Sequence, residues 1–163
     1  MRKFFLFLLL FSLSCGFKFS QSKNIKKIAI PTFSNRTFKF GIEEIITEEV
    51  KKEFLNLGNL EIVSREEADF ILIGDIIKYS EHNPISFDKH ENVTTYRLIL
   101  GINFTLIDAK TKKIISKWDN FCVDWDYEVK KSVSEIEISE RNALINASRE
   151  IGEKIALRIF DYF

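Results

Sequence analysis

Apolar positions along the chain change their spacing several times, and each change predicts an element. Lys27–Phe33 (KIAIPTF) is a short apolar run closed by a turn-rich stretch, which predicts a first strand. From Gly41 to Leu57 the apolar residues Ile42, Ile45, Ile46, Val50, Phe54 and Leu57 recur at intervals of three and four, which predicts an amphipathic helix. Gly58 follows where a C-terminal cap belongs. Leu60–Val63 reads as a brief strand, and Phe70–Ile77 (FILIGDII) starts apolar on both faces, as a strand inside a sheet does.

The second half alternates with a period of two. Tyr96, Leu98, Leu100, Ile102, Phe104 and Leu106 share one face, while Arg97, Gly101, Asn103 and Thr105 share the other. Asp108–Lys112 is a polar turn, so the strand from Ile114 should return antiparallel as a hairpin. Its alternation changes phase between Trp118 and Phe121, which predicts a β-bulge near Asp119–Asn120. A second helix should run from near Ser139 towards Tyr162, burying Leu144, Ala147, Ile151, Ile155 and Ile159. The predicted fold class is α+β: a two-layer sandwich with two helices packed on one face of a mixed, largely antiparallel sheet of four to five strands.

The N-terminus follows another pattern. Met1-Arg2-Lys3 is cationic, and Phe4–Leu13 is an apolar run of ten residues ending in Ser14-Cys15-Gly16. A membrane-spanning helix needs roughly 20 residues, so this run has the length of a signal-peptide core instead. A small residue followed by cysteine is where a lipoprotein signal peptidase cuts, which makes Cys15 the expected lipid attachment site. Ser12 stands where such sites usually carry leucine, and an ordinary signal peptide or an N-terminal strand with an incidental cysteine are the alternatives. The expected organisation is a signal peptide over 1–14, a lipidated tether over 15–24 and a single domain over 25–163. With Cys15 acylated, Cys122 has no disulfide partner and reads as a small core or edge residue.

Composition narrows the function. The 163 residues carry 24 Lys+Arg against 24 Asp+Glu, and removal of 1–14 leaves 22 basic against 24 acidic side chains. A balanced charge argues against a general nucleic-acid binder, which needs a basic surplus to displace phosphate counterions. At 45% apolar, with two prolines, six glycines and sixteen phenylalanines, the chain is an ordered globular domain with an aromatic-rich core.

Candidate chemistry is sparse. No nucleophile elbow, phosphate-binding loop, dinucleotide fingerprint or paired-cysteine zinc spacing occurs. His82, Asp88, His90 and Glu91 form the one dense group of metal-ligating types, in a stretch whose Asn83-Pro84 reads as a polar turn. Lys110, Lys112 and Lys113 crowd one hairpin tip, where mobile cations suit phosphate-bearing headgroups; an ordinary solvated tip is the alternative. Arg36 and Lys39 flank Phe38 and Phe40, a cluster placed either to touch lipid or to cover the core.

Several of these segments together resemble the LPS-assembly lipoprotein (LptE) family. They are Cys15-Gly16-Phe17, the strand-and-turn Ile28–Thr37 with its Pro31-x-Phe33-x-Asn35-x-Thr37 pattern, Gly41 leading the helix Ile42–Leu57, Arg65–Asp69 before an apolar strand, Asn83–Asp88, and Val93–Leu98. The resemblance implies a non-catalytic lipoprotein on the periplasmic face of the outer membrane, with no cofactor beyond the covalent lipid on Cys15. Such proteins plug and help to assemble the LptD β-barrel for lipopolysaccharide transport to the outer leaflet. The implied partners are that barrel, lipopolysaccharide (with Lys110, Lys112 and Lys113 as candidate contacts) and the membrane through the anchor, but no nucleic acid. The alternatives are a lipoprotein activator of a peptidoglycan synthase, a curli-type secretion lipoprotein, or an enzyme built around His82 and His90.

Overall fold

The computed structural model describes residues 26–58, 60–129 and 132–162. The expected signal peptide, the tether and Cys15 lie outside the described residues. The elements are β1 (Lys26–Ala29), β2 (Ser34–Asn35), α1 (Ile42–Asn56), β3 (Leu60–Ile62), β4 (Phe70–Phe87), β5 (Val93–Asp108), β6 (Ile114–Glu128) and α2 (Val133–Phe160). The sheet has the order β3-β1-β4-β5-β6, with β2 pairing further along β4. β1 and β2 run parallel to β4, and β1 parallel to β3; β4, β5 and β6 form an antiparallel meander. This is the expected two-layer α+β arrangement, with one more short strand than expected.

One apolar face carries the core. Leu98, Leu100, Ile102, Phe104 and Leu106 of β5 are fully buried, as their alternation requires, against Ile46, Val50 and Phe54 of α1 and Ala147, Ile151, Ile155 and Ile159 of α2. The helices run side by side in the same direction. A Cβ at Gly152 would lie 3.0 Å from the Val50 Cα, so glycine there lets the two backbones approach. Arg149 then reaches Glu49 and Glu53 of α1 at 3.6 and 3.7 Å.

Three expectations need correction. The first strand ends at Ala29 and not at Phe33, because Pro31 interrupts the run and the Phe33 N–H leaves the sheet to donate to Thr47 Oγ1 at 3.0 Å; the chain rejoins the sheet at Ser34. The Phe33 ring packs edge-on against Phe104 instead, with centroids 5.6 Å apart. Second, the stretch around Asn83-Pro84 is strand and not a turn. The Asn83 amide donates to the carbonyls of Ser80 (3.1 Å) and Arg97 (2.7 Å), bridging a bulge in the β4–β5 ladder. Past Ile76 no further strand pairs with the other edge of β4 among the described residues, and such an edge tolerates Pro84. The turn comes later, where Asp88 Oδ1 accepts from the N–H groups of His90 and Asn92 at 2.8 and 3.0 Å.

Third, α2 begins six residues before the expected Ser139. Ser132 and Glu135 form a capping box: the Glu135 N–H donates to Ser132 Oγ at 3.3 Å, and the Ser132 N–H donates to Glu135 Oε2 at 3.2 Å. The bulge near Asp119–Asn120 is where the alternation places it. Ile102 pairs with Phe121 and Phe104 with Trp118, Asn120 has φ 55°, and its N–H donates to Asn103 Oδ1 at 2.8 Å.

Candidate functional site

The residues singled out in the sequence fall at opposite ends of the sandwich. At one end β1 enters the sheet at Lys26, next to the β5–β6 turn. Asp69 joins the two: its carboxylate accepts from the Lys27 N–H at 3.2 Å and lies 3.3 Å from Lys110 Nζ, while its carbonyl accepts from the Ala109 N–H. The Lys27 N–H and the Lys110 cation hold the Asp69 carboxyl below the usual carboxylate range.

The turn itself is shaped by Asp108, whose Oδ1 accepts from the N–H groups of Lys110 and Thr111 at 3.0 and 2.7 Å. Lys112 sits in the left-handed region at φ 59°. The three lysines are therefore exposed but not equivalent. Lys110 is paired with Asp69, whereas Lys112 and Lys113 make no ion pair among the described residues. Ile114, 63% exposed, follows them, so the tip is amphipathic.

At the other end the chain turns from β2 into α1 through residues 36–41, a turn built by the family-like Asn-x-Thr motif. Asn35 Oδ1 accepts from the Thr37 N–H and hydroxyl at 2.9 and 2.8 Å, and its amide donates to the Lys39 carbonyl at 2.7 Å and to Glu43 at 2.8 Å. Gly41, at φ 82°, takes the sharp step into the helix. Lys39 lies under the turn, 2.9 Å from Glu140 and 3.4 Å from Glu81. Phe38 and Phe40 point outwards and do not cover the core.

Glu140 organises this end from α2. It is buried, and its carboxylate accepts from Lys39 and from the Tyr79 hydroxyl at 2.8 Å, with His82 Nε2 at 3.7 Å. Burial alone would raise its pKa, but the hydrogen bonds from Lys39 and Tyr79 outweigh that and hold it below the ordinary value. Burial and the bond to Glu140 push the Tyr79 phenol upwards, and Glu140 holds Lys39 protonated above its usual value. Burial likewise pushes Tyr127, which meets the His82 N–H, up to about 12. Sequence reading missed Glu140, although an acid at the stripe position between Ile136 and Leu144 was the available signal.

Beside Glu140 a cleft of about 650 Å³ opens between the turn and the two helix starts, floored by Ile42 and Leu144 and walled by Phe40 and Ile138. The candidate metal ligands do not converge. His82 stands against Tyr96, with ring centroids 5.1 Å apart, while Asp88 is occupied by its own turn. No group of three metal-ligating side chains comes together among the described residues. Cys122 is free and exposed on β6, so it is an edge residue and not a core one.

Known proteins bear on this arrangement in two ways. The family model for LptE, described as lipopolysaccharide-assembly, matches residues 25–159. No curated protein matches the chain. Among solved structures, a protein from Caulobacter crescentus is 12% identical with a TM-score of 0.56, over 80% of this chain and 89% of that one. A protein from Xanthomonas campestris is 10% identical with a TM-score of 0.58, over 85% and 89%. A minor lipoprotein from Acinetobacter baumannii is 12% identical with a TM-score of 0.51, over 82% and 94%. At such low identity these three establish a shared fold and nothing further. The family match, which spans the whole sandwich from the residue before β1 to the last turn of α2, decides the identity: the chain belongs to the LptE family of non-catalytic lipoproteins, whose role is in lipopolysaccharide assembly.

Proposed function

We propose that this protein is held on the periplasmic face of the outer membrane by lipid on Cys15, plugs an LptD-type β-barrel, helps it to assemble, and supports lipopolysaccharide delivery to the outer leaflet. The observation that carries this reading is the family match over residues 25–159. Two features of the domain agree with it. The chain enters at Lys26 beside the lysine tip, so a short lipidated tether would bring Lys110, Lys112 and Lys113 near anionic headgroups. Charge is balanced at 22 basic against 24 acidic side chains after residue 14, which suits a protein contact of mixed character.

Co-purification from native membranes tests the proposal. Tagged full-length protein should bring down an LptD-type barrel. Recovery of a penicillin-binding protein without the barrel would favour the peptidoglycan-synthase alternative.

A further inference from the structure

Two phenylalanines face water on one of the most tightly tied turns in the molecule. Phe38 is 100% exposed and Phe40 90% exposed, more than any other large apolar residue described. Isolated exposed apolar residues are ordinary, but here two rings stand two positions apart, Phe40 walling the partly apolar cleft beside Glu140 and Phe38 lining a second hollow against Ile77 and Tyr79. The turn that carries them is not loose. Asn35 binds three of its residues or their neighbours, Lys39 is bonded to Glu140 and Glu81, and Arg36 reaches Asp75 at 3.2 Å.

We propose that Phe38 and Phe40 are the anchors of a protein–protein interface, seated in apolar pockets of the partner, while the cleft walled by Phe40 and Ile138 receives an apolar side chain in return. This rests on the plug reading, which makes the partner the barrel protein. Three observations favour a protein over a membrane as the occupant. A fixed frame lowers the ordering cost of docking into a shaped pocket and brings little to a fluid bilayer. The cations beside the rings, Arg36 and Lys39, are already paired inside the domain, so the turn offers little uncommitted positive charge to anionic headgroups. The turn also lies far from Lys26, where the described chain enters the sheet. Lys26 reaches over the Phe70 ring, whereas Lys39 sits against Glu81, eleven residues along β4, which is roughly 35 Å of strand.

The test uses the full-length lipidated protein and its Phe38→Ser/Phe40→Ser double variant. Both rings are exposed, so the variant should keep the wild-type circular dichroism and melting curve. The yield of co-purified barrel should nevertheless fall by about tenfold or more, as expected when two central anchors are removed. A photoreactive phenylalanine at position 38, which deletes nothing, should cross-link to the barrel protein. Undiminished barrel recovery by the double variant, with no cross-link from position 38, would overturn the proposal while leaving the plug reading intact. Flotation of the unlipidated Cys15→Ala protein with phosphatidylethanolamine–phosphatidylglycerol vesicles that Phe38→Ser/Phe40→Ser abolishes, with barrel recovery by the lipidated double variant kept, would assign the turn to the membrane. A wild-type dimer that the variant converts to a monomer, again with barrel recovery kept, would assign it to a second copy. If the wild type itself recovers no barrel, the plug reading fails first, and the barrel falls as the occupant with it.

Discussion

Replacing Glu140 by glutamine should destabilise the domain by an amount its surroundings set. The residue is 8% exposed and accepts hydrogen bonds from Lys39 at 2.9 Å and from Tyr79 at 2.8 Å. Breaking a fully buried pair costs about 3–5 kcal/mol, because the remaining charge is left uncompensated. Here the Lys39 side chain is 42% exposed and has Glu81 at 3.4 Å, so water and a second carboxylate take up part of the loss. That reduces the expected cost to about 1–2 kcal/mol, or about 2–8 °C in melting temperature for a domain of this size.

Urea unfolding of wild type and Glu140→Gln across pH measures it. The carboxyl pKa is lowered on folding from 4.5, so its contribution is complete above pH 4.5 and is lost as pH falls through the lower folded value. The gap between the two proteins should be widest near neutrality and close below about pH 4.5. Tyr79→Phe, which removes only a neutral donor, should cost less, about 0.5–1.5 kcal/mol. A Glu140→Gln protein within about 0.5 kcal/mol of wild type at pH 7, or a gap that ignores pH, would refute this account of the Glu140 cluster.

Other predictions read different parts of the molecule. Phe104, fully buried between Phe33 and Phe121, should cost about 3–5 kcal/mol as alanine, whereas Thr105 on the opposite face should cost about 0.5 kcal/mol; equal losses in thermal melts would contradict the β5 phase. Labelled palmitate should enter the wild-type chain and not Cys15→Ala, and equal labelling of both would remove the anchor from the account. Replacing Lys110, Lys112 and Lys113 together by alanine should leave folding and barrel recovery intact and weaken lipopolysaccharide binding several-fold at low salt, with less effect at high salt where a Debye length of roughly 3 Å at 1 M screens exposed charges. Lys110→Ala alone should contribute least to that loss, because Asp69 already holds its cation.

What the sequence made legible is what period and punctuation determine. The β5 alternation placed Leu98 to Leu106 on the buried face without error, and its phase slip on β6 located the Asn120 bulge. Gly41 and Gly58 bounded α1 to within a residue. The misreadings came where a local signal competed with long-range pairing. Asn83-Pro84 carries turn chemistry, yet the Asn83 amide spends its donors on carbonyls of both strands and the ladder continues. Ser132-x-x-Glu135 is a cap signature, but the exposed Val133 and Ile138 break the apolar stripe of the first two turns and hide it. The lysine tip was visible as a run of charge. That Asp69 ties Lys110 to the entry of β1 was not, since the two are 41 residues apart and meet through sheet pairing alone. Phe38 and Phe40 were visible as aromatics, and only the fold decides that they point away from the core.

The most direct test of the plug reading is protease protection in the purified complex with the barrel. Conditions that cleave the isolated full-length protein with trypsin should leave it intact when the barrel is bound, with one copy per barrel by mass, because a chain inside a barrel lumen is shielded on nearly every side. Cleavage at the same rate with and without the barrel, or a protein that never forms a stoichiometric complex with one, would contradict the account.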